Sequence, residues 1–312
     1  MTTRQKLEII QKTLGITQTE LATRLGVSFV AFNAWWNEKA EPRENKVAAI
    51  DELWKEVTGK KVISVEELDV KKDALLLLRK QHKNVLKEIL ASPDIRDEFV
   101  LKLTYHTNSI EGSTLTEPDT AAILFDNVTI QNKTLVEQLE AKNHQTAFLY
   151  LLDYLVDGGN INETFILKLH SILMNGIRPD AGLYRRHAVR IVGTHVPTAN
   201  YLRIPDLVPE VVRLTKSTRT KNDIVGLCSS VHAKFEQIHP FSDGNGRIGR
   251  LLMNAMLLEQ NCAPAIIRQE TKRLYYTYLH KAQTEGDESQ LTSYLYEAVN
   301  DGYSLLNRSG LL

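Results

Sequence analysis

An all-α protein of two domains is what this sequence predicts, on three observations. Apolar residues recur at three- and four-residue spacing, as in Val225, Cys228, Val231, Phe235 and Ile238, which is the period of a helix with one buried face. Capping signals punctuate the periodic segments: Thr17-Gln-Thr-Glu20 reads as a capping box, Ser28 as an N-cap and Ser92-Pro93 as a helix start. Strand character is confined to a short stretch around Val189 and Ile191. A chain of 312 residues has room for two domains, one with a full core.

Residues 1–60 read as a small first domain. Leu21 and Leu25 supply an inner face behind the Thr17 cap, Gly26 ends that helix, and a Gly-Val-Ser turn leads into a second helix through Trp35 or Trp36. This pattern resembles an Xre-like, phage-repressor-type helix-turn-helix over about residues 3 to 57. The resemblance implies a recognition helix after Ser28 with Ser28, Phe29 and Asn33 facing bases, hence DNA as a partner through residues 17–40. That helix carries no arginine or lysine before Lys39, whereas phosphate neutralisation supplies most affinity in this class. A helical module for binding protein or for dimerisation is the alternative, and a homo-oligomer stays open.

Residues 61–94 read as a helical linker. A polar break at Thr58-Gly-Lys-Lys61 is followed by a charged stretch and one leucine-rich helix from about Val70 to Leu90, with Leu75 to Leu78, Leu86 and Ile89 as one packed face. The helix begun at Ser92-Pro93 is expected to run to Thr107 and present Glu111.

The densest chemistry lies in His239-Pro-Phe-Ser-Asp-Gly-Asn-Gly-Arg-Ile-Gly-Arg250: a titratable base, a carboxylate, an amide, turn glycines and two guanidiniums. Gly244 and Gly246 let the backbone approach a ligand, and the apolar run after Arg247 opens a helix. Unpaired N–H groups at such a helix start cradle an anion, with Arg247 and Arg250 three apart on one face. The letters from Gly244 to Gly249 also spell the GxGxxG dinucleotide fingerprint, with Glu270 about 20 residues on. That fingerprint must follow a buried strand, and the segment from Val225 to Ile238 has the period of a helix.

The segment resembles the signature of the Fic family, written HPFx(D/E)GNGRxxR, at every fixed position. The resemblance implies a Fic-type helical core with a short β-hairpin flap, residues 95–158 being its N-terminal region and 159–312 its catalytic core. It implies an enzyme, a nucleotidyltransferase that moves AMP from ATP to a Ser, Thr or Tyr hydroxyl of a protein substrate. His239 would be the general base, because imidazole titrates near neutral pH. Asp243 would hold Mg2+ and Asn245 would donate to the α-phosphate. The amides around Gly244 and Gly246, with Arg247 and Arg250, would bind the β- and γ-phosphates. Gly246 stands where the kinase-like Doc branch carries lysine, which favours AMP transfer over phosphate transfer. Pro240 and Phe241 would anchor the loop.

Upstream, Thr107-Asn-Ser-Ile-Glu111-Gly112 resembles the family's inhibitory motif, (S/T)xxxE(G/N). The resemblance implies that Glu111 pairs with Arg250 and displaces the γ-phosphate, an autoinhibited enzyme. The segment Gly182 to Thr194 resembles the flap that aligns a target segment by β-augmentation. Arg185-Arg186 reads as solvated surface bordering the flap, with Arg185 helping to position it. Around Tyr275 and Tyr276 one tyrosine is a candidate for the adenine pocket. Two alternatives remain: a de-AMPylating phosphodiesterase in which Glu111 orients water, and a DNA-binding regulator using the core as a nucleotide sensor.

The 38 basic and 38 acidic residues balance, so no global field draws the chain to nucleic acid or membrane. Cys228 and Cys262 sit in apolar helical patterns, as buried small hydrophobes do. No HExxH or CxxC motif supports a transition metal, and His170 and His232 read as packing residues. The start of the chain shows no apolar signal region and no run reaches membrane-spanning length, so the expected location is the cytoplasm.

Overall fold

The computed structural model describes residues 1–191, 196–216 and 223–308. Its first four helices are α1 (Thr3–Leu14), α2 (Gln18–Arg24), α3 (Phe29–Trp36) and α4 (Glu44–Val57). Each early boundary has a local cause. Thr17 and Glu20 close a capping box on α2, Gly26 turns the chain with φ 64°, and Ser28 accepts the Ala31 N–H to open α3. Leu7, Ile10, Leu21, Phe32 and Ile50 bury their side chains between these helices.

The leucine-rich stretch departs from expectation. It forms two helices, α5 (Val65–Gln81) and α6 (Val85–Ala91), rather than one from Val70 to Leu90. Asn84 caps α6 by accepting the Lys87 N–H, a local bond that competes with continued helix. Asn261 fixes the break from outside: its amide donates to the His82 carbonyl and its oxygen accepts the Val85 N–H. The leucines therefore do not share one face. α5 lies along the final helix, α15 (Ser289–Arg308), whereas α6 lies under α7 (Pro93–Glu111), and Leu77 is exposed.

The remaining helices are α8 (Glu117–Phe125), α9 (Leu135–Val156), α10 (Glu163–Leu173), α11 (Ile204–Thr215), α12 (Ile224–Ile238), α13 (Asn245–Glu259) and α14 (Lys272–Glu285). α12 and α13 pack against each other at the centre, with α7, α9 and α10 against α13, and α11, α14 and α15 against α12. α13 is apolar on nearly every side from Ile248 to Leu258, as a fully enclosed helix must be.

α7 starts at the Ser92 cap with Pro93 in its first turn and runs to Glu111, four residues past the expected end, where Gly112 at φ 107° stops it. The chain after it is tied to the start of α9, because Glu137 accepts the Thr114 N–H and hydroxyl, each at 2.7 Å, besides capping contacts from Thr134. Those bonds, led by the Thr114 amide, hold the Glu137 carboxyl down at about 2.

The expected hairpin is not formed as strand: no strand occurs among the described residues, and the turn at Gly193 and Thr194 lies outside them. Its two limbs are linked instead by the Thr198 hydroxyl, which donates to the Val189 carbonyl. The N-terminal helices dock on α14 through α1 and α4, and the segment after α4 together with α5 lies on α15. Tyr278 Oη donates to the Glu56 carbonyl, Gln290 to the Lys61 carbonyl, and Lys71 reaches Ser293 and Glu297. No helix among the described residues is long and apolar enough to cross a membrane, and Cys228 and Cys262 are buried and unbridged.

Candidate active site

His239 sits where α12 ends, in a left-handed conformation at φ 52° that few residues other than glycine adopt. Its imidazole Nδ1 faces the Glu236 carbonyl at 3.2 Å, which places the proton on Nδ1 and leaves Nε2 with the lone pair. Burial pulls its pKa below the ordinary histidine value despite that carbonyl, so the ring is neutral near pH 7.

The loop that follows is closed by its own side chains. Asn245 accepts the Phe241 N–H at 2.8 Å and donates to the Phe241 carbonyl at 2.9 Å. Its amide therefore holds the loop, and the NH2 group keeps a second N–H beyond the one given to Phe241. Phe241 is buried and stacks on His170, centroids 3.7 Å apart and planes 5° from parallel. His170 accepts the Gly182 N–H at Nδ1 and faces the Asp243 carbonyl through Nε2, so this histidine supports the loop from below. Ser242 donates to Asp180, and Pro240 accepts from the Arg185 amide.

Gly244 opens α13 at φ 76°, and a methyl group there would stand 2.9 Å from Met174 Sδ. The Asp243 side chain is 51% exposed and accepts the Gly244 N–H at 2.6 Å. Among the described residues no cluster of three or more His, Cys, Asp or Glu could enclose a metal. One exposed carboxylate suits a hard cation that takes its other ligands from phosphate oxygens and water.

Both signature arginines are buried and already face carboxylates. Arg247, 2% exposed, donates to Glu140 at 2.6 Å and lies 3.5 Å from Asp243. Arg250 donates from Nε to the Thr107 hydroxyl at 2.6 Å and from Nη2 to Glu111 Oε1. Burial alone would raise the Glu111 carboxyl and lower Arg250; their mutual attraction prevails in both, holding Glu111 down and Arg250 up. Gly246 makes this possible, because a Cβ there would collide with Glu111 Oε1. Arg247 Nε and Arg250 Nη1 find no hydrogen-bond partner among the described residues, and such buried donors suit an anionic ligand.

The sequence names His239, Asp243, Gly244, Asn245, Gly246, Arg247, Arg250, Thr107, Glu111 and Gly112, and the fold brings all of them to one end of α13. It also adds residues without local signature: Glu140 on α9, Asp180 beside Ser242, Glu236 inside α12, and Arg185. Arg185 is not solvated surface, being 2% exposed. Tyr275 is engaged in the core with His232 at 2.5 Å, whereas Tyr276 stays partly exposed beside Lys272.

Fold and site together define a helical protein with an anion cradle at the head of a central helix, a neutral histidine before it and a carboxylate across it. Residues 160–257 match the model of the Fic/DOC family, so the chain carries a Fic domain. Two curated relatives, each named "Protein adenylyltransferase Fic", are similar over 228 residues: that of Drosophila ananassae at 32% identity and that of Drosophila melanogaster at 31%, both over 72% of this chain. The chain spans less than half of their length, 43% and 44%. Among solved structures, Fic-1 (residues 134–508) from C. elegans is similar at TM-score 0.63 and 26% identity, over 85% of this chain and 74% of that one. A Fic domain containing signaling protein from Bacteroides thetaiotaomicron shares the fold at TM-score 0.65 and 24% identity, over 76% of this chain and 98% of that one.

Proposed function

We propose that this chain is a protein adenylyltransferase held inactive by Glu111. The observation that carries the reading is the Glu111 carboxylate on Arg250, across a glycine cradle that begins at a neutral His239. Arg250 and Arg247 are disposed to bind a polyphosphate, and a carboxylate on Arg250 competes for the same guanidinium. In the reaction, His239 Nε2 accepts the proton of a target Ser, Thr or Tyr hydroxyl as its oxygen attacks the α-phosphate, and pyrophosphate leaves. The Gly246 amide donates to phosphate oxygens at the helix start, joined by the Gly244 amide once the Asp243 carboxylate that accepts it turns to the cation. Asp243 would hold Mg2+, which neutralises phosphate charge when bound. Tyr276 is the tyrosine we assign to the adenine side, since Tyr275 is engaged elsewhere.

The N-terminal helices we read as a helix-turn-helix module that recruits a protein. On α3, Phe29 and Val30 are 43% and 80% exposed, and no basic residue accompanies them. Binding to duplex DNA that weakens steeply with salt would reverse this choice. We place the reaction in the cytoplasm, where ATP and Mg2+ are supplied.

The test compares wild type, Glu111→Gly and Glu111→Gly/His239→Ala incubated with α-labelled ATP and Mg2+, scoring label retained on protein. The expected result is label with Glu111→Gly alone. Label lost from a pre-modified target by wild type, and not by Glu111→Gly, would favour the reverse hydrolysis.

A further inference from the structure

The left-handed backbone at His239 closes α12 with a local cap bond to the Phe235 carbonyl, and a second set of bonds meets the same helix end from outside. We propose that Arg185 is a positioning residue that fixes the His239 backbone, and so the aim of the imidazole, by clamping both limbs of the neighbouring chain to the end of α12. The arginine's bonds are unusual in kind. Nε donates to the His239 carbonyl at 2.7 Å, Nη2 to the Ile238 and Ala199 carbonyls at 3.3 and 2.6 Å, and Nη1 to the His187 carbonyl at 2.7 Å. Its own amide donates to the Pro240 carbonyl at 3.0 Å. All these acceptors are main-chain oxygens.

Two facts make this arrangement more than packing. The carbonyls of Ile238 and His239 are the last of α12, where helix termini leave acceptors unsatisfied and where the helix dipole favours a cation. The other acceptors come from the two limbs, His187 on one and Ala199 on the other, and the Ala199 N–H returns to the Gln237 carbonyl at 3.3 Å. One planar guanidinium thus ties three separate pieces of chain at the base. A lysine could reach one carbonyl there; it has no fork to span three. The geometry also couples the limbs to the base: a target segment laid beside residues 187–191 would meet a surface already registered to His239.

The proposal rests on the proposed AMP transfer only for its rate measurement. Arg185→Lys and Arg185→Gln are made in the full chain carrying Glu111→Gly, and three quantities are read: the His239 titration by imidazole NMR, ATP affinity, and label transfer. Expected are an upward move of the His239 midpoint in Arg185→Gln, where a neighbouring positive charge is lost, and unchanged ATP affinity. Transfer should fall by roughly 10²-fold in kcat, the cost typical of a misplaced reacting group. Arg185→Lys should keep the His239 midpoint and still lose kcat. An unmoved His239 midpoint in Arg185→Gln, or full transfer by Arg185→Lys, would overturn the assignment. So would ATP affinity falling in step with transfer, which marks general loosening. If Glu111→Gly itself transfers nothing, the AMP-transfer reading fails while the NMR midpoint still decides the role of Arg185. Should Arg185→Gln not fold, the Arg185→Lys spectrum decides through the His239 resonance, which must shift in line shape and position with the lost fork.

Discussion

At the scale of single residues, the site is a set of charges whose partners decide their ionisation. Glu236 shows this most sharply. It is buried in α12, its Oε1 lacks a hydrogen-bond partner among the described residues, and burial pushes its carboxyl up to about 8 against the pull of Arg250. Between the ordinary carboxylate range, near 4.5, and about 8, the unfolded chain has released a proton that the folded chain keeps. Stability should therefore fall as pH rises through that window. Glu236→Gln should remove the slope, seen as the difference between the two proteins in urea midpoints from pH 5 to pH 8. Thr107 offers a second measurement. Its hydroxyl receives the Arg250 Nε, and Thr107→Val should cost about 2 kcal/mol in urea unfolding, the worth of a hydrogen bond to a charged group, with Thr107→Ser close to wild type. Thr107, Glu111, His239 and Arg250 were legible in the sequence because each stands in a motif that resembles a family signature. Glu140, Arg185 and Glu236 were not, since nothing near them in the chain tells which distant carbonyl or guanidinium they will meet.

At the scale of elements, boundaries were read correctly where a cap states them locally. Thr17-Glu20, Ser28 and Ser92-Pro93 open α2, α3 and α7 as their side chains dictate. The split of the leucine-rich stretch was not read, because the residue that stabilises the break, Asn261, lies far along the chain. The left-handed Gly112 is the stop that puts Glu111 at the tip of α7. Gly112→Ala should cost about 1 kcal/mol through backbone strain and raise amide exchange around residues 109–113. Unaltered exchange there would mean that the tie from Thr114 to Glu137, and not the glycine, holds the helix end. In α3, Ser28→Ala should cost about 1 kcal/mol through the lost N-cap, measured by thermal unfolding.

At the scale of the whole molecule, the apolar core runs without interruption from Leu7 to Leu306. Glu56 of α4 is hydrogen-bonded to α14, and Lys61, in the segment after α4, to α15. Calorimetry of the full chain should therefore give one unfolding transition, and removal of residues 1–60 should lower its midpoint; two separate transitions would show that the N-terminal module melts alone. The division of the chain near residue 60 was suggested by its polar break, whereas the docking across that break depends on side chains far apart in sequence. α7 carries a mechanical consequence. It has 19 residues, so it is about 28 Å long, and Glu111 is the last of them. A tilt of about 5° pivoting at Pro93 would carry its tip about 2.5 Å, as far as a hydrogen bond is long. Glu111 thus rides the long end of a lever whose pivot lies beside the end of α6, so a small rotation at Pro93 becomes a displacement at the latch as large as the contact with Arg250 itself.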